Sequence, residues 1–370
     1  WNGSANRFRS VAPLSFAEYQ SQELGTTMYF NLLGAITDKN NYFCMMIISH
    51  KTILALQFLK GFGPKTIGIV CTRLSELGMG GSISATELHG LLIEMISREE
   101  LKRVSSPDSN SLLFAIDQAQ NILDTNERLG IKTVSRYDKD FPKELLRTVS
   151  ENGKPSVPII LHYIGNLYAT KRPSLAVIGT RRPTQDGIKA SSYYASAFSS
   201  IGVNIVSGLA VGCDTEAHRG ALYGGGVTTA ILANGLDTIF PSENYGLAED
   251  IVSNGGLLLS EYMIGTKASK YNLVERDRLQ TGLSGATLVI QTALNGGTMH
   301  AARTTLAAGK PLLITNYGAN QGEYTEGYNF LEALGAQPFR DTKAHILSNA
   351  HEYLEIFGNP SPNTLFANSE

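Results

Sequence analysis

The chain has 370 residues, of which 42% are hydrophobic and 17% charged, and its formal net charge is −2. This balance excludes a protein coated in positive charge, so a nucleic acid would have to bind in a local basic groove. The three cysteines, Cys44, Cys71 and Cys213, have no metal-like spacing and leave an odd thiol, which favours a reducing compartment. No apolar run approaches the roughly 20 residues that span a bilayer. We therefore expect a cytoplasmic protein that does not bind membranes.

Residues 1–45 differ from the rest of the chain. Residues 1–24 mix Asn, Gly, Ser, Arg and Gln without a sustained period, and the chain does not begin with methionine. We expect a disordered or non-native extension here, with Met45 or Met46 as a plausible natural start.

Residues 46–128 are predicted to form a small all-α domain. Two apolar helical segments flank Gly61-Phe-Gly-Pro-Lys65, which resembles a helix-hairpin-helix element. Gly61 and Gly63 would allow the tight turn, and the free amides of the next helix, together with Lys65, could hold a backbone phosphate. A hairpin that only packs is the alternative.

The centre of the chain has the pattern of a strand, a helix and a second strand. Residues 175–179 form a short apolar run that ends in glycine, and residues 204–208 repeat it. Between them, residues 184–200 have helical spacing, with Thr184 as the N-cap, and a further helix is predicted at 214–222. This βαβ unit predicts a parallel sheet.

The alternation continues to the end of a predicted α/β domain at residues 129–340, which begins with short strands in a lead-in segment at residues 130–174. Six parallel strands with intervening helices predict a Rossmann-like, doubly wound sheet. The remaining residues, 341–370, are expected to form one helix at 343–357 and a frayed tail. The other predicted strands are 228–233, 257–260, 286–291 and 311–315, and the other helices are 247–254, 274–283 and 298–308.

The strands are predicted to end on a shared rim that carries glycine turns and arginines. A glycine at the end of a strand lets the chain turn sharply, so the first amides of the next helix face outward and attract anions. Arg181 and Arg182 add fixed charge where parallel sheets bind their ligands. A phosphate-bearing ligand is the resulting hypothesis, and a tight turn with solvated arginines is the alternative.

At this point the residues resemble the DNA-processing protein DprA (Smf) family over roughly residues 136–318. The motifs occur in the family's order and at similar spacing. They are Val177-Ile-Gly-Thr-Arg-Arg-Pro-Thr184, Ser207-Gly-Leu-Ala-Val-Gly-Cys-Asp214, Gly235-Leu-Asp237, Ser260-Glu261, Glu275-Arg-Asp-Arg278 and Gly296-Gly-Thr298.

The resemblance implies a Rossmann-like protein without known catalysis. Such a protein binds single-stranded DNA in a basic pocket, forms homodimers and helps to load RecA recombinase during natural transformation. The family's DNA-contacting arginine falls on Arg181, and its arginine cluster falls on Arg276 and Arg278. The expected phosphate-binding residues are Gly179, Thr180, Arg181, Arg182, Ser207, Gly208, Lys270, Arg276, Arg278, Gly296, Gly297 and Thr298.

The chain departs from the family pattern around its second arginine cluster. Where the family has Phe-Pro-x-Arg-Asn-Arg, this chain has Leu273-Val-Glu-Arg-Asp-Arg278, so Glu275 and Asp277 flank the arginines. These carboxylates could pair with the arginines in an internal ion-pair network, so that the arginines would no longer bind phosphate.

Two other function classes remain open from the residues. The Gly296-Gly-Thr298 turn also resembles that of nucleotide-ligand sensors and lysine-decarboxylase-like phosphoribohydrolases, although residues 299–303 lack the glutamate of such a hydrolase. A protein-interaction scaffold with neutralised rim arginines is the third possibility.

Asp214 and His218 lie four residues apart on a predicted helix and would share a face. We interpret Asp214 as a helix cap and His218 as structural, with a metal or acid–base pair as the alternative. No third ligand is placed nearby, so we expect no metal, no cofactor and no catalytic residue.

Overall fold

The computed structural model describes residues 48–81, 83–316 and 322–358. The extension expected at 1–45, the proposed start at Met45 or Met46, Cys44 and the tail from residue 359 lie outside the described residues.

Helices and strands alternate along most of the described chain, as the sequence predicts. The helices are α1 (His50–Gln57), α2 (Pro64–Glu76), α3 (Ala85–Ser97), α4 (Ser109–Arg128), α5 (Gln185–Ser200), α6 (Cys213–Tyr223), α7 (Tyr245–Ser253), α8 (Lys270–Leu283), α9 (Thr298–Ala307), α10 (Thr325–Ala333), α11 (Lys343–Ser348) and α12 (Ala350–Gly358). The strands are β1 (Lys132–Ser135), β2 (Ile160–Gly165), β3 (Ser174–Ile178), β4 (Asn204–Ser207), β5 (Thr228–Leu232), β6 (Leu257–Ser260), β7 (Ala286–Val289), β8 (Leu312–Thr315) and β9 (Gln337–Phe339).

The strands form one sheet in the order β1-β2-β6-β5-β4-β3-β7-β8-β9. Strands β3 to β9 pair in parallel, whereas β1 and β2 pair antiparallel at one edge. The chain builds outward from β3 through β4, β5 and β6, and then returns to place β7 on the other side of β3. Strands β3 and β7 therefore flank the switch point, where doubly wound sheets bind ligands. The predicted fold class, α/β and Rossmann-like with a helical N-terminal region, is confirmed.

Two predictions about the C-terminal part of the chain are wrong. The described residues contain seven parallel strands rather than six, because β9 has only three residues and buries only Phe339, too short a pattern to recognise. The helix expected at 343–357 is two helices, since Asn349 between them has φ −108° and ψ 27°. The Asn349 side chain donates to the carbonyl of His345 at 2.9 Å, which ends the first helix.

Both faces of the sheet are covered by helices. On one face, Phe198 of α5 is fully buried, and its ring centroid lies 5.1 Å from that of Tyr353 and 5.4 Å from that of Phe357 in α12. On the other face, Leu279 and Leu283 of α8 pack in a cluster with residues of β4, β5 and β6. Because both faces are covered, every residue of β3 to β8 is buried, as expected for parallel strands between two layers of helices.

Helices α1 to α4 form a core that continues into the antiparallel edge of the sheet. Ile159 and Ile160, at the start of β2, belong to the same buried cluster as the apolar side chains of these helices. The imidazole Nε2 of His50 in α1 lies 2.6 Å from Asp138 Oδ2, which follows β1. The helical segment is therefore packed against the sheet rather than tethered to it.

Candidate nucleic-acid interface

A cleft of about 540 Å³ opens at the carboxyl ends of β3 and β7, the switch point of the sheet. We call it the rim cleft. Its lining comes from the turn after β3, the segment around the start of α6, α8 as far as Gln280, and the segment that runs from the end of β7 into α9. The residues are Ile178, Gly179, Thr180, Arg181, Arg182, Ala210, Asp214, Lys270, Leu273, Val274, Arg276, Asp277, Gln280, Thr292, Ala293, Asn295, Gly296, Gly297, Thr298 and Ala301.

The turn after β3 is held by backbone hydrogen bonds to its neighbours. The Thr180 amide donates to Gln291 O at 2.7 Å, and its carbonyl accepts from the Cys213 amide at 3.1 Å. Gly179 is required by packing, because a Cβ there would lie 2.5 Å from the Cys213 sulfur. These contacts fix the backbone from which Arg181 and Arg182 project.

Arg181, Arg182 and Lys270 are the exposed cations of the rim cleft. Within the described residues, none of the three makes an ion pair, so their charge is not neutralised by a neighbouring carboxylate. Lys270 is the first residue of α8, which begins four residues before the predicted start because Ser269 caps it. The Ser269 hydroxyl accepts from the Asn272 amide at 3.1 Å.

Arg276 lines the rim cleft but is only 4% exposed. Its Nη1 donates to the carbonyl of Gly208 at 2.7 Å and to that of Ile231, and its Nε donates to Asp277 Oδ1 at 3.2 Å. This guanidinium therefore ties α8 to β5 and to the turn after β4. The flanking Asp277 forms an internal ion pair, as the departure from the family pattern suggested.

Arg278 does not line the rim cleft. Its Nη2 donates to Glu261 Oε2 at 2.6 Å, its Nε to the Ser156 hydroxyl at 2.8 Å and its Nη1 to the Glu275 carbonyl at 3.1 Å. The side chain is 10% exposed and belongs to a partly buried network outside the cleft.

Two carboxylates lie at the base of the rim cleft. Burial raises the pKa of Asp277 to about 6, against the opposing effect of Arg276, and the negative charge of Asp214 adds to the rise. Burial also raises the pKa of Asp214, again against Arg276. The buried Arg276 thus compensates these acids in part, and the exposed cations set the charge of the cleft mouth.

Ser207 and Gly208 are buried behind the cleft and do not line it. The Ser207 hydroxyl donates to the carbonyl of Val177 at 2.7 Å, and the Gly208 amide donates to Asp214 Oδ2 at 3.1 Å. A Cβ on Gly208 would lie 2.4 Å from Nη1 of Arg276, so this glycine makes room for the guanidinium.

Asp214 is not the N-cap of α6, since Gly212 occupies that position with φ +87°. Its carboxylate instead accepts from the amides of Gly208 and Ala210, which fixes the turn that precedes the helix. His218 is fully buried, and its Nδ1 lies 2.7 Å from the Thr228 hydroxyl, a structural contact. The described residues contain no group of three metal-ligating side chains.

The Gly296-Gly-Thr298 turn lines the cleft at the start of α9, where Gly297 is the N-cap. No side chain caps this helix, so its first turn presents the positive end of the helix dipole to the cleft. A Cβ on Gly297 would meet nothing within 4 Å, so this position does not need glycine for packing.

Gln291 supports the rim cleft without lining it, and sequence reasoning missed this role. Its side chain accepts from the Thr184 amide at 3.0 Å and donates to the Thr184 hydroxyl at 2.9 Å, which joins the end of β7 to the N-cap of α5. Its place directly after the apolar run 286–290 was the available signal. Tyr324 was also missed, and its hydroxyl donates to the carbonyl of Arg182.

The hairpin residues Gly61, Gly63 and Lys65 are exposed and do not line the rim cleft. Gly63 is the N-cap of α2 and Pro64 is its first residue, while Gly61 has φ +85°. Both glycines therefore lie in the turn between α1 and α2, and phosphate binding by this hairpin stays a prediction. The structure describes no contact that assigns Lys65 a ligand.

A family model described as DNA recombination-mediator protein A matches residues 132–351. The Protein Smf of Synechocystis sp. is 37% identical over 185 residues, which cover 49% of this chain and 45% of that protein. The chain spans about half the length of the curated relatives it matches.

Two solved structures are similar to this chain. The structure of DNA processing protein A from Streptococcus pneumoniae aligns with a TM-score of 0.65 at 24% identity. The alignment covers 82% of this chain and 98% of that chain. The protein of the same name from Helicobacter pylori aligns with a TM-score of 0.52 at 28% identity. This alignment covers 60% of this chain and 97% of that chain. The Helicobacter pylori structure is described as giving insights into the single-stranded DNA binding mode of that protein.

Proposed function

Because the chain belongs to the DNA recombination-mediator protein A family, we propose that its rim cleft binds single-stranded DNA without catalysis. The observation that supports this most directly is the grouping of Arg181, Arg182 and Lys270, exposed and without ion pairs among the described residues, at the switch point of the sheet. Guanidinium and ammonium groups on a fixed backbone suit the phosphates of a flexible strand.

The roles that we propose for the arginines differ from those expected from the sequence. Arg181 and Arg182 are proposed to contact phosphates directly, with Lys270, Thr180 and the amides of Gly297 and Thr298 beside them; the Gly296 amide donates to the carbonyl of Ala293 at 2.9 Å. Arg276 and Arg278 have internal acceptors for most of their donors and are proposed to hold α8 in place.

The family role also implies partners. We propose a homodimer that transfers single-stranded DNA to a RecA-type recombinase in the cytoplasm, as the resemblance indicates. Light scattering of the purified chain measures the first point, and a mass of one chain would contradict the dimer. Within the described residues, no helix is long and apolar enough to cross a membrane.

Replacing Arg181 and Arg182 together by Gln tests the site. The double variant should bind a fluorescently labelled oligothymidine at least about tenfold more weakly, and the slope of log affinity against log salt should fall by about one to two. Fluorescence anisotropy at several salt concentrations measures both. A matched control replaces Lys132 and Lys139, exposed lysines outside the cleft, by Gln and should bind like the wild type.

Competitors separate the proposal from a small-ligand pocket. Duplex DNA and deoxyadenosine monophosphate should each displace the oligonucleotide poorly. Displacement by the mononucleotide at micromolar concentration, or equal binding by the double variant and the wild type, would contradict DNA binding at this cleft.

A further inference from the structure

A second cavity, of about 390 Å³, lies at the opposite end of the parallel sheet. Pro173 directly precedes β3, Gly285 directly precedes β7, and Lys310 comes two residues before β8. Because these residues stand at the amino ends of the strands, the cavity and the rim cleft are at opposite ends of the sheet. We call it the basal cavity, and it is lined by Lys143, Glu144, Arg147, Lys171, Arg172, Pro173, Leu283, Ser284, Gly285, Lys310, Phe357 and Gly358.

The basal cavity is strongly cationic although the chain is not. Its lining holds five basic side chains and a single carboxylate, that of Glu144, whereas the whole chain has a net charge of −2. Such a local excess in a concave site concentrates anions. The five cations come from three segments of the chain, residues 143–147, residues 171–172 and Lys310, and the tertiary structure brings these segments together.

Four of these cations, Lys143, Arg147, Lys171 and Arg172, are exposed and make no ion pair within the described residues. The ammonium of Lys171 lies 4.3 Å from the ring centroid of Tyr168, a contact that leaves its N–H donors available. Exposed arginines on a concave surface have the fork geometry that binds phosphate oxygens in pairs.

The fifth cation, Lys310, covers the groups that would repel an anion. Its ammonium donates to the carbonyls of Thr281, Gly282 and Ser284 at 2.8, 2.8 and 2.7 Å, which are the free acceptors at the end of α8. Burial lowers the pKa of this lysine to about 8. The negative end of the α8 dipole is thus covered where it meets the cavity.

Ser284 supplies an independent indication that a ligand belongs here. The residue lines the basal cavity and is 1% exposed, yet its hydroxyl has no hydrogen-bond partner among the described residues. An unpartnered buried hydroxyl is uncommon because its desolvation is not compensated. An anion in the cavity would provide the missing acceptor.

We propose that the basal cavity binds phosphate groups, either those of a polynucleotide or those of a small oligophosphate. Arg147 and Arg172 would contact the phosphate oxygens, Lys143 and Lys171 would add charge, and Ser284 would donate its hydroxyl. This site is separate from the rim cleft and does not depend on it.

Lysine acetylation footprinting of the full chain tests the proposal. The protein is treated with an acetylating reagent alone, with tripolyphosphate or with a thirty-residue oligothymidine, and the modification of each lysine is read by mass spectrometry. We expect one or both probes to reduce the modification of Lys143 and Lys171 at least about threefold relative to Lys132 and Lys139, since bound phosphate shields the ammonium groups. The protection should disappear in an Arg147→Gln, Arg172→Gln double variant whose circular dichroism matches the wild type.

The two probes distinguish the source of the phosphate. Protection by tripolyphosphate alone indicates a small oligophosphate, and protection by the oligonucleotide indicates a nucleic-acid strand. No protection by either probe, equal protection of Lys132 and Lys139, or protection that persists in the double variant would overturn the site. The acetylation of Lys270 reports phosphate binding at the rim cleft in the same experiment. Absence of binding at the rim cleft is therefore distinguished from absence of binding at the basal cavity.

Discussion

Asp277 and Arg276 illustrate how burial and charge oppose each other at the base of the rim cleft. Burial disfavours the ionised carboxylate and raises the pKa of Asp277 to about 6, although the guanidinium lies 3.2 Å away. The neighbouring Asp214 prevents Arg276 from compensating Asp277 fully, because both acids share the one cation. The pair therefore orients α8 at a cost to stability when both carboxyl groups are ionised.

An Asp277→Asn variant should change how stability depends on pH. Because the pKa is raised in the fold, the folded chain holds a proton that the unfolded chain releases above pH 3.8, so Asp277 favours folding less and less as the pH rises to about 6. Between about pH 3.5 and pH 7, the wild type should lose up to about 3 kcal/mol of unfolding free energy relative to the variant. Urea unfolding of both proteins measures this difference.

The wild type and the Asp277→Asn variant must be compared, because buried histidines change the free energy of unfolding with pH in the opposite direction. Burial lowers the pKa of His162 to about 4 and that of His218 to about 3, so both favour folding less as the pH falls. They are present in both proteins and cancel in the difference. A difference that is constant with pH would show that Asp277 titrates normally.

At the scale of elements, the rim cleft depends on how α5 is joined to β7. The Thr184 hydroxyl caps α5 by accepting from the Gly187 amide at 3.2 Å, and the same hydroxyl accepts from Gln291. The turn that carries Arg181 and Arg182 lies between Thr184 and Thr180, whose amide donates to the Gln291 carbonyl at 2.7 Å. Its position is therefore set by a strand more than 100 residues later in the sequence.

Thr184→Ala should lower the free energy of unfolding by about 1–2 kcal/mol, because the cap and the Gln291 contact are lost together. The affinity for oligothymidine should fall as well, since the arginine turn loses an anchor. Urea unfolding and fluorescence anisotropy measure the two effects. Thr184→Ser keeps the hydroxyl and serves as the control, so a Ser variant as impaired as the Ala variant would contradict this role.

At the scale of the whole molecule, the helical segment and the sheet share buried surface. Ile159 and Ile160 are at most 1% exposed and lie in the cluster formed mainly by α1 to α4. Removing these helices would expose both side chains together with the antiparallel edge of the sheet. The α/β part is therefore stabilised by the segment that precedes it.

A chain that begins at residue 130 should be less stable in urea than the full chain and should form larger assemblies than the full chain does, because it presents this apolar surface to water. Light scattering and urea unfolding measure both properties. Leu113→Ser in the full chain, at a side chain that is already 53% exposed, is the matched control and should leave both unchanged. A truncated chain with the full chain's unfolding midpoint and oligomeric state would mean that the two parts are energetically independent.

The distribution of charge is also a property of the whole molecule. With a net charge of −2, the chain does not attract polyanions as a whole, and the exposed cations of the rim cleft and the basal cavity stand at opposite ends of the sheet. Attraction of DNA or phosphate must therefore be local, and it is weakened by salt over distances of roughly 10 Å.

The sequence by itself determined the doubly wound fold, the family and the place of the rim. These follow from local patterns: apolar runs that end in glycine, helical spacing between them, and turns whose positions at the strand ends are dictated by the parallel sheet. The N-cap at Thr184 was predicted for the same reason, since capping involves residues within one helical turn.

Only the tertiary structure decided which cations are free. Arg181 and Arg276 have the same side chain and both lie in family-like motifs, yet the first is exposed and the second is buried against the carbonyls of Gly208 and Ile231. That difference depends on how α8 packs on β4 and β5, which no local pattern specifies. The basal cavity was invisible in the sequence for the same physical reason, because its charges are close only in the folded chain.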